Sequence, residues 1–194
     1  SSLRLLYGLV LIRHVGTRPN LYPITARNRA LVTLLWRCGL RRAEAVDLMP
    51  ADLDREKGTL RVRNGKGGKS RLLAIDDETP LCLDTWERHR EKAGLNGTSP
   101  YFCTIKNGGG QKLLTRKVWS FLRVAAKKAG ITKRVHPHGL RHTFAMELME
   151  EGVPLNIISQ AMGHSSSATT AIYLDHIAAP EVVNTLKARN WTND

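Results

Sequence analysis

Six side chains in this sequence combine into a set that suits attack on a phosphodiester: Arg41, Lys66, His138, Arg141, His164 and Tyr173. His138 and Arg141 stand three apart on an expected helix and share a face, where both can bond one phosphate. Arg41 opens a short helix, and its neighbour Arg42 points elsewhere. Lys66 sits at the tip of an expected hairpin, where a long stem reaches outward. His164 follows Gly163 in a loop, and Tyr173 comes nine residues later. Scattered cationic donors with one oxygen nucleophile fit a transition state that concentrates negative charge on non-bridging oxygens. They fit metal chemistry poorly, because the histidines have few carboxylates near them in sequence and no HExxH occurs. Spacing alone leaves the bland readings open. His14, His89 and His136 read as structural hydrogen bonders, Lys66 and Lys69 as solvated hairpin charges, and Tyr173 as a packing residue.

These side chains need elements to hold them. Thr25 can cap a helix over Ala26–Cys38, with Ala30, Leu31, Leu34 and Leu35 on one side and Gly39 as its stop. Arg41–Leu48 reads as a second, short helix. Thr59–Arg63 and Ser70–Ile75 read as strands. The Asn64-Gly65-Lys66-Gly67-Gly68-Lys69 run between them is a hairpin signal, since glycine and asparagine tolerate positive φ. Thr79-Pro80 starts a helix running to about Ala93. Thr115 caps another that ends near Gly130. Its Val118, Leu122, Ala125 and Ala129 form an apolar stripe, and Arg116, Ser120, Arg123 and Lys127 form a polar one on roughly the opposite face. Asn107–Gly110 is a loop. Helices follow over His138–Glu150 and Pro154–Met162, and shorter ones over Thr169–Leu174 and Pro180–Ala188. The expected fold is mainly α with a small antiparallel β-sheet.

The chain has 194 residues, 30 basic and 17 acidic, for a formal charge of +13. The length suits one domain with attached arms. Arg61–Arg71 holds five basic residues and no acid, and Lys106–Arg134 holds nine and no acid. Such a field attracts a polyanion. The apolar run Leu3–Ile12 is too short to span a bilayer and is interrupted by Arg4. Cys38, Cys82 and Cys103 are too few and too widely spaced for a disulfide framework or a metal knuckle, which favours a reduced, intracellular protein. The glycine-rich segments do not lead from a strand into a helix, so a dinucleotide site is not supported, and no GxxxxGK[ST] loop occurs.

Four segments, taken together, resemble a known family. They are Gly39-Leu40-Arg41-Arg42-Ala43-Glu44, then Gly65-Lys66-Gly67-Gly68-Lys69-Ser70-Arg71, then His138-Gly139-Leu140-Arg141-His142-Thr143-Phe144-Ala145, and finally Met162-Gly163-His164 running on to Ile172-Tyr173. In order and separation they are similar to the signatures of the tyrosine recombinases, also called the phage integrase family. The resemblance covers about residues 25–177. It implies catalytic roles for Arg41, Lys66, His138, Arg141, His164 and Tyr173, with Glu44 supporting the first arginine. It implies cleavage and rejoining of double-stranded DNA through a 3′-phosphotyrosyl link, with no metal or other cofactor. DNA contacts are expected from Lys69, Arg71, Arg116, Arg123 and Lys127.

The implied organisation is an arm or junction to a further DNA-clamping domain at 1–24, a catalytic domain at 25–177, and a C-terminal helix and tail at 178–194. A homo-oligomer, tetrameric on paired sites, an accessory DNA-bending protein and a cytoplasmic setting belong to the same expectation. Two departures stand out. Met162 replaces the usual leucine before Gly163, and His176 comes third after Tyr173 where the family often has histidine second. A type IB topoisomerase shares the active-site resemblance, and a non-cleaving basic DNA-binding protein shares the charge.

Overall fold

The computed structural model describes residues 22–63, 70–77, 79–105 and 109–163. The first helix, α1 (Pro23–Arg37), starts before the expected Thr25 cap because Pro23 occupies its first turn. A proline there forfeits no helical hydrogen bond. The Tyr22 carbonyl accepts from the Thr25 and Ala26 N–H groups at 2.8 and 3.0 Å. Ala30, Leu31, Leu34 and Leu35 are fully buried, as their spacing predicts. Each buried leucine contributes about 1.5–3 kcal/mol. Gly39 ends the run at φ +58°, a left-handed conformation, and an added Cβ there would lie 2.2 Å from the Phe144 ring. Helix α2 (Arg42–Asp47) follows, with Arg41 as the residue before its first turn.

A 3-10 turn at Pro50–Asp52 leads into a sheet of three antiparallel strands: β1 (Leu53–Asp54), β2 (Thr59–Val62) and β3 (Arg71–Ala74), in that spatial order. The expected pair of strands is present. The two-residue β1 is an addition, too short to show a period in sequence. In the β2–β3 ladder Leu60 faces Leu73 and Val62 faces Arg71. Directly opposed residues share a face, so Arg71 lies on the side that buries Leu60, Val62 and Leu73.

Helix α3 (Thr79–Lys92) packs on α1. Asp76 caps it by accepting from the Thr79 N–H and hydroxyl, both at 3.0 Å. Helix α4 (Thr115–Lys128) buries Val118, Leu122 and Ala126 and exposes Arg116, Ser120, Arg123 and Lys127. Leu114, not Thr115, holds its cap position, with no side-chain bond. Helix α5 (Pro137–Glu150) again begins with a proline, one residue before the expected His138, and is capped by His136. Helix α6 (Leu155–Met162) ends at Gly163 in the left-handed region, φ 58°.

One large apolar cluster joins α1, the sheet, α3 and α4, and a smaller one, around Ala145, Ile158 and Met162, joins α5 to α6. The result is mainly α with a small antiparallel sheet. Among the described residues no helix is long and apolar enough to cross a membrane. The helices expected over Thr169–Leu174 and Pro180–Ala188, and the arm at 1–21, lie outside the described residues.

Candidate functional site

The α1–α2 corner, β3, the start of α5 and the end of α6 converge on one carboxylate. Glu44, in the first turn of α2, accepts from the Arg41 backbone N–H at 2.7 Å and from the Arg41 guanidinium at 2.8 Å. Arg71 meets the same carboxylate as a fork, Nη1 to Oε1 at 2.9 Å and Nη2 to Oε2 at 2.8 Å. Arg141 stands beside it, with Nη1 at 4.0 Å from Oε2. The Glu44 side chain is 5% exposed. Burial alone raises the pKa of such a carboxyl, but the hydrogen bonds from the Arg71 side chain and the Arg41 backbone, with the adjacent positive charges, outweigh it. They hold Glu44 down to about 2.

The three arginines are also held from the end of α6. Arg71 Nε donates to the Ala161 carbonyl at 2.8 Å, Arg141 Nη2 donates to the Met162 carbonyl, and Arg41 Nη2 donates to the Gly163 carbonyl at 2.9 Å. Carbonyls in the last turn of a helix lack partners within it and carry its negative pole, so cations suit them. Arg141 Nη1 further donates to the Gly39 carbonyl at 2.6 Å. The glycine that stops α1 thus also holds Arg141.

In front of this cluster lies an open cleft of about 350 Å³, lined by Arg41, Arg42, Trp119, His136, His138 and Arg141 among others. Arg41 keeps 28% of its side chain exposed, whereas Arg141 is 3% exposed. His138 is at the exposed mouth. Desolvation against the cleft wall, then the charges of His136, Arg141 and His142, lower its pKa from the ordinary histidine value. The neutral imidazole is thereby favoured.

Three of the expected catalytic residues, Arg41, His138 and Arg141, come together here, with Glu44 behind them. Lys66, Lys69, His164 and Tyr173 lie outside the described residues. Arg71 does not lie where a DNA contact was expected. Its side chain is 9% exposed and turned inward to Glu44 and Ala161, because strand register puts it on the buried face of the sheet. Arg116, Arg123 and Lys127 are exposed on α4, as their stripe implied. Arg123 and Lys127 line a second cleft of about 560 Å³ with Lys133 and Arg134, and Trp119 belongs to both clefts.

Trp119 and His136 were missed as site residues. The rings of Trp119, His136 and His138 form a loose stack, with centroids 6.1 and 6.3 Å apart and 14° between planes at each step. The Arg134 guanidinium lies 5.1 Å over the Trp119 ring. His136 is a structural hydrogen bonder, as expected, since its Nδ1 accepts the Gly139 N–H at 2.9 Å. It is also a wall of the cleft. The signal was its place at a helix cap two residues before His138. Among the described residues no group of three or more His, Cys, Asp or Glu is placed to hold a metal ion.

A sequence profile described as the phage integrase family matches residues 12–179. Similar proteins include the tyrosine recombinase XerD of Mycobacterium tuberculosis, 38% identical over 161 residues, which cover 81% of this chain and 50% of that protein. Another is the tyrosine recombinase XerA of Pyrococcus furiosus, 39% identical over 148 residues, 76% of this chain and 49% of that one. The chain thus spans about half the length of these relatives. Among solved structures, a XerA recombinase superposes with a TM-score of 0.78 at 29% identity, covering 95% of this chain and 64% of that one. XerH recombinase bound to its palindromic difH substrate, in a post-cleavage complex, gives 0.75 at 25% identity, covering 93% and 50%.

Proposed function

The chain belongs to the phage integrase family, and from that premise we propose that it performs site-specific DNA recombination, cutting and rejoining strands through a 3′-phosphotyrosyl intermediate. The observation that carries this reading is the convergence of Arg41, His138 and Arg141 on one cleft with Glu44 behind them.

In this reading the scissile phosphate enters the cleft and its non-bridging oxygens meet the guanidinium groups. Tyr173 attacks the phosphorus, a tyrosine–phosphate bond forms, and the bond to the 5′-oxygen breaks. A free tyrosine has a pKa near 10, so a neighbouring group must take its proton. His138 is suited to accept it because its surroundings favour the neutral imidazole, which has a free nitrogen lone pair. Lys66 delivers a proton to the departing 5′-oxygen. His164 adds a hydrogen bond to the phosphate. A 5′-hydroxyl from another strand then reverses the step, and the covalent link conserves the phosphodiester energy, so no nucleotide is consumed.

The partner is double-stranded DNA, gripped by Arg116, Arg123 and Lys127 on α4 and by Lys69. The full protein works as a homo-oligomer, a tetramer on paired sites, with an accessory DNA-bending protein where the site requires it, in the cytoplasm. The test is covalent capture. On a nicked duplex bearing the crossover site, the full chain forms an adduct stable in a denaturing gel, and Tyr173→Phe abolishes the adduct while binding persists. An adduct unchanged in Tyr173→Phe refutes the assignment.

A further inference from the structure

Arg71 is the one arginine of the Glu44 cluster that does not line the catalytic cleft, yet its guanidinium bonds both oxygens of the carboxylate, where that of Arg41 bonds one. It bonds both Glu44 oxygens and, through Nε, the Ala161 carbonyl. It thereby joins three elements distant in sequence: β3, α2 and the C-terminal end of α6. We propose that Arg71 is a positioning residue of the strand-transfer reaction, a clamp that fixes Glu44 and the end of α6 so that Arg41 and Arg141 meet the phosphate in one geometry. The inference rests on the functional reading above.

The geometry argues for a clamp over a spare charge. Glu44 is buried and sits between Arg71 on one side and Arg41 on the other, with Arg141 held off at 4.0 Å. Without Arg71, a buried carboxylate loses two of its four hydrogen bonds. The closest cation able to replace them is Arg141, and turning to Glu44 draws it away from the Gly39 and Met162 carbonyls that aim it. Lysine cannot substitute, because a single ammonium cannot bond both carboxylate oxygens and a carbonyl from the guanidinium's fixed plane.

Gly163 supplies an independent observation. It adopts φ +58°, and an added Cβ would lie 2.8 Å from Arg71 Nη1 and 3.2 Å from its Cδ and Cζ. Glycine is required there both by the backbone and by the closeness of the clamp, and the clamp cannot swing aside without leaving Glu44.

The experiment measures single-turnover adduct formation by the full chain on a nicked duplex, alongside equilibrium DNA affinity as a function of salt. Arg71→Ala and Arg71→Lys each slow adduct formation by about 10²-fold, the scale of a small misplacement of catalytic groups, with affinity and salt slope unchanged. Combined with Glu44→Gln, Arg71→Ala is no slower than the slower single variant. A salt slope reduced by about one unit with an unchanged rate makes Arg71 a phosphate contact and overturns the proposal. Full activity in Arg71→Lys also overturns it. If Arg71→Ala does not fold, Arg71→Lys decides: it slows the reaction if the clamp exists and leaves the rate unchanged if it does not. If the unmodified chain forms no adduct, the functional reading fails. The clamp is then judged by acid unfolding, whose midpoint moves to higher pH in Arg71→Lys if Arg71 holds Glu44 and stays put if it does not.

Discussion

Arg41 is bound to Glu44 twice, once through its backbone N–H at 2.7 Å and once through its guanidinium at 2.8 Å. One carboxylate therefore sets both where the residue begins its helix and where its side chain points. Glu44 folds with its pKa held at about 2, against an ordinary 4.5. A carboxylate depressed in the native state contributes stability that is complete above the unfolded pKa. That stability is lost as the pH falls through the folded one. The expected loss between pH 4.5 and about 2 is on the order of 3 kcal/mol. Denaturant unfolding across that window shows the full decline in the parent and a shallower one in Glu44→Gln. Equal pH slopes in the two proteins contradict the structure.

Lys66 is proposed as the acid for the leaving oxygen. Lys66→Ala slows cleavage by roughly 10²–10⁴-fold, the range for a positioned proton donor. A substrate with sulfur at the 5′-bridging position needs no proton to leave, so it restores Lys66→Ala and leaves Arg41→Ala impaired. Equal rescue of both, or rescue of neither, moves the acid to another residue, with Lys69 next in line.

Gly39 carries two duties at one residue. Its φ of +58° strains any side chain, and a methyl there would collide with the Phe144 ring. Its carbonyl also holds Arg141. Gly39→Ala is expected to cost about 2–4 kcal/mol, combining left-handed strain with overpacking. Phe144→Ala in the same chain removes the collision but not the strain, so it recovers only part of the activity lost through Arg141. Thermal or denaturant melts with matched cleavage rates test both halves. A wild-type melt for Gly39→Ala is the outcome that counts against it.

The exposed face of α4 is read as a DNA contact. Arg123→Ala and Lys127→Ala each reduce the slope of log affinity against log salt by about one unit if they touch phosphates. Lys92 on α3 is the control, since that helix packs on α1 and contributes no residue to either cleft. Should Arg123 read a base, its loss weakens target and non-target DNA unequally, by roughly 1–3 kcal/mol. Three indistinguishable variants remove α4 from the interface.

The helices were legible because their apolar positions recur at helical spacing, and Val118 and Leu122 are as buried as that stripe requires. Their starts were less so. Pro23 and Pro137 each fix a first turn, and both were passed over in favour of neighbouring residues. Arg71 could have been placed correctly. Two positions from Leu73 on the same strand, it shares that residue's face, and the basic run around it distracted from that parity. The clasp at the end of α6 could not have been read at all. It joins residues 90, 21 and 122 positions apart, through backbone carbonyls that any sequence possesses. Family resemblance supplied Arg41, His138 and Arg141 as a set. Only tertiary structure supplied the reason that they face one way.

That clasp makes α6 a component with a fixed phase. Ala161, Met162 and Gly163 offer their carbonyls to arginines from three different segments. Lengthening the helix by one residue turns its end by about 100° and advances it by about 1.5 Å, which dislocates all three bonds at once. Chimeras that exchange the α5–α6 region between relatives are therefore tolerant of changes in loop length before Pro154 and intolerant of any insertion between Leu155 and Gly163. In such exchanges helix length, more than residue identity, is the quantity to preserve.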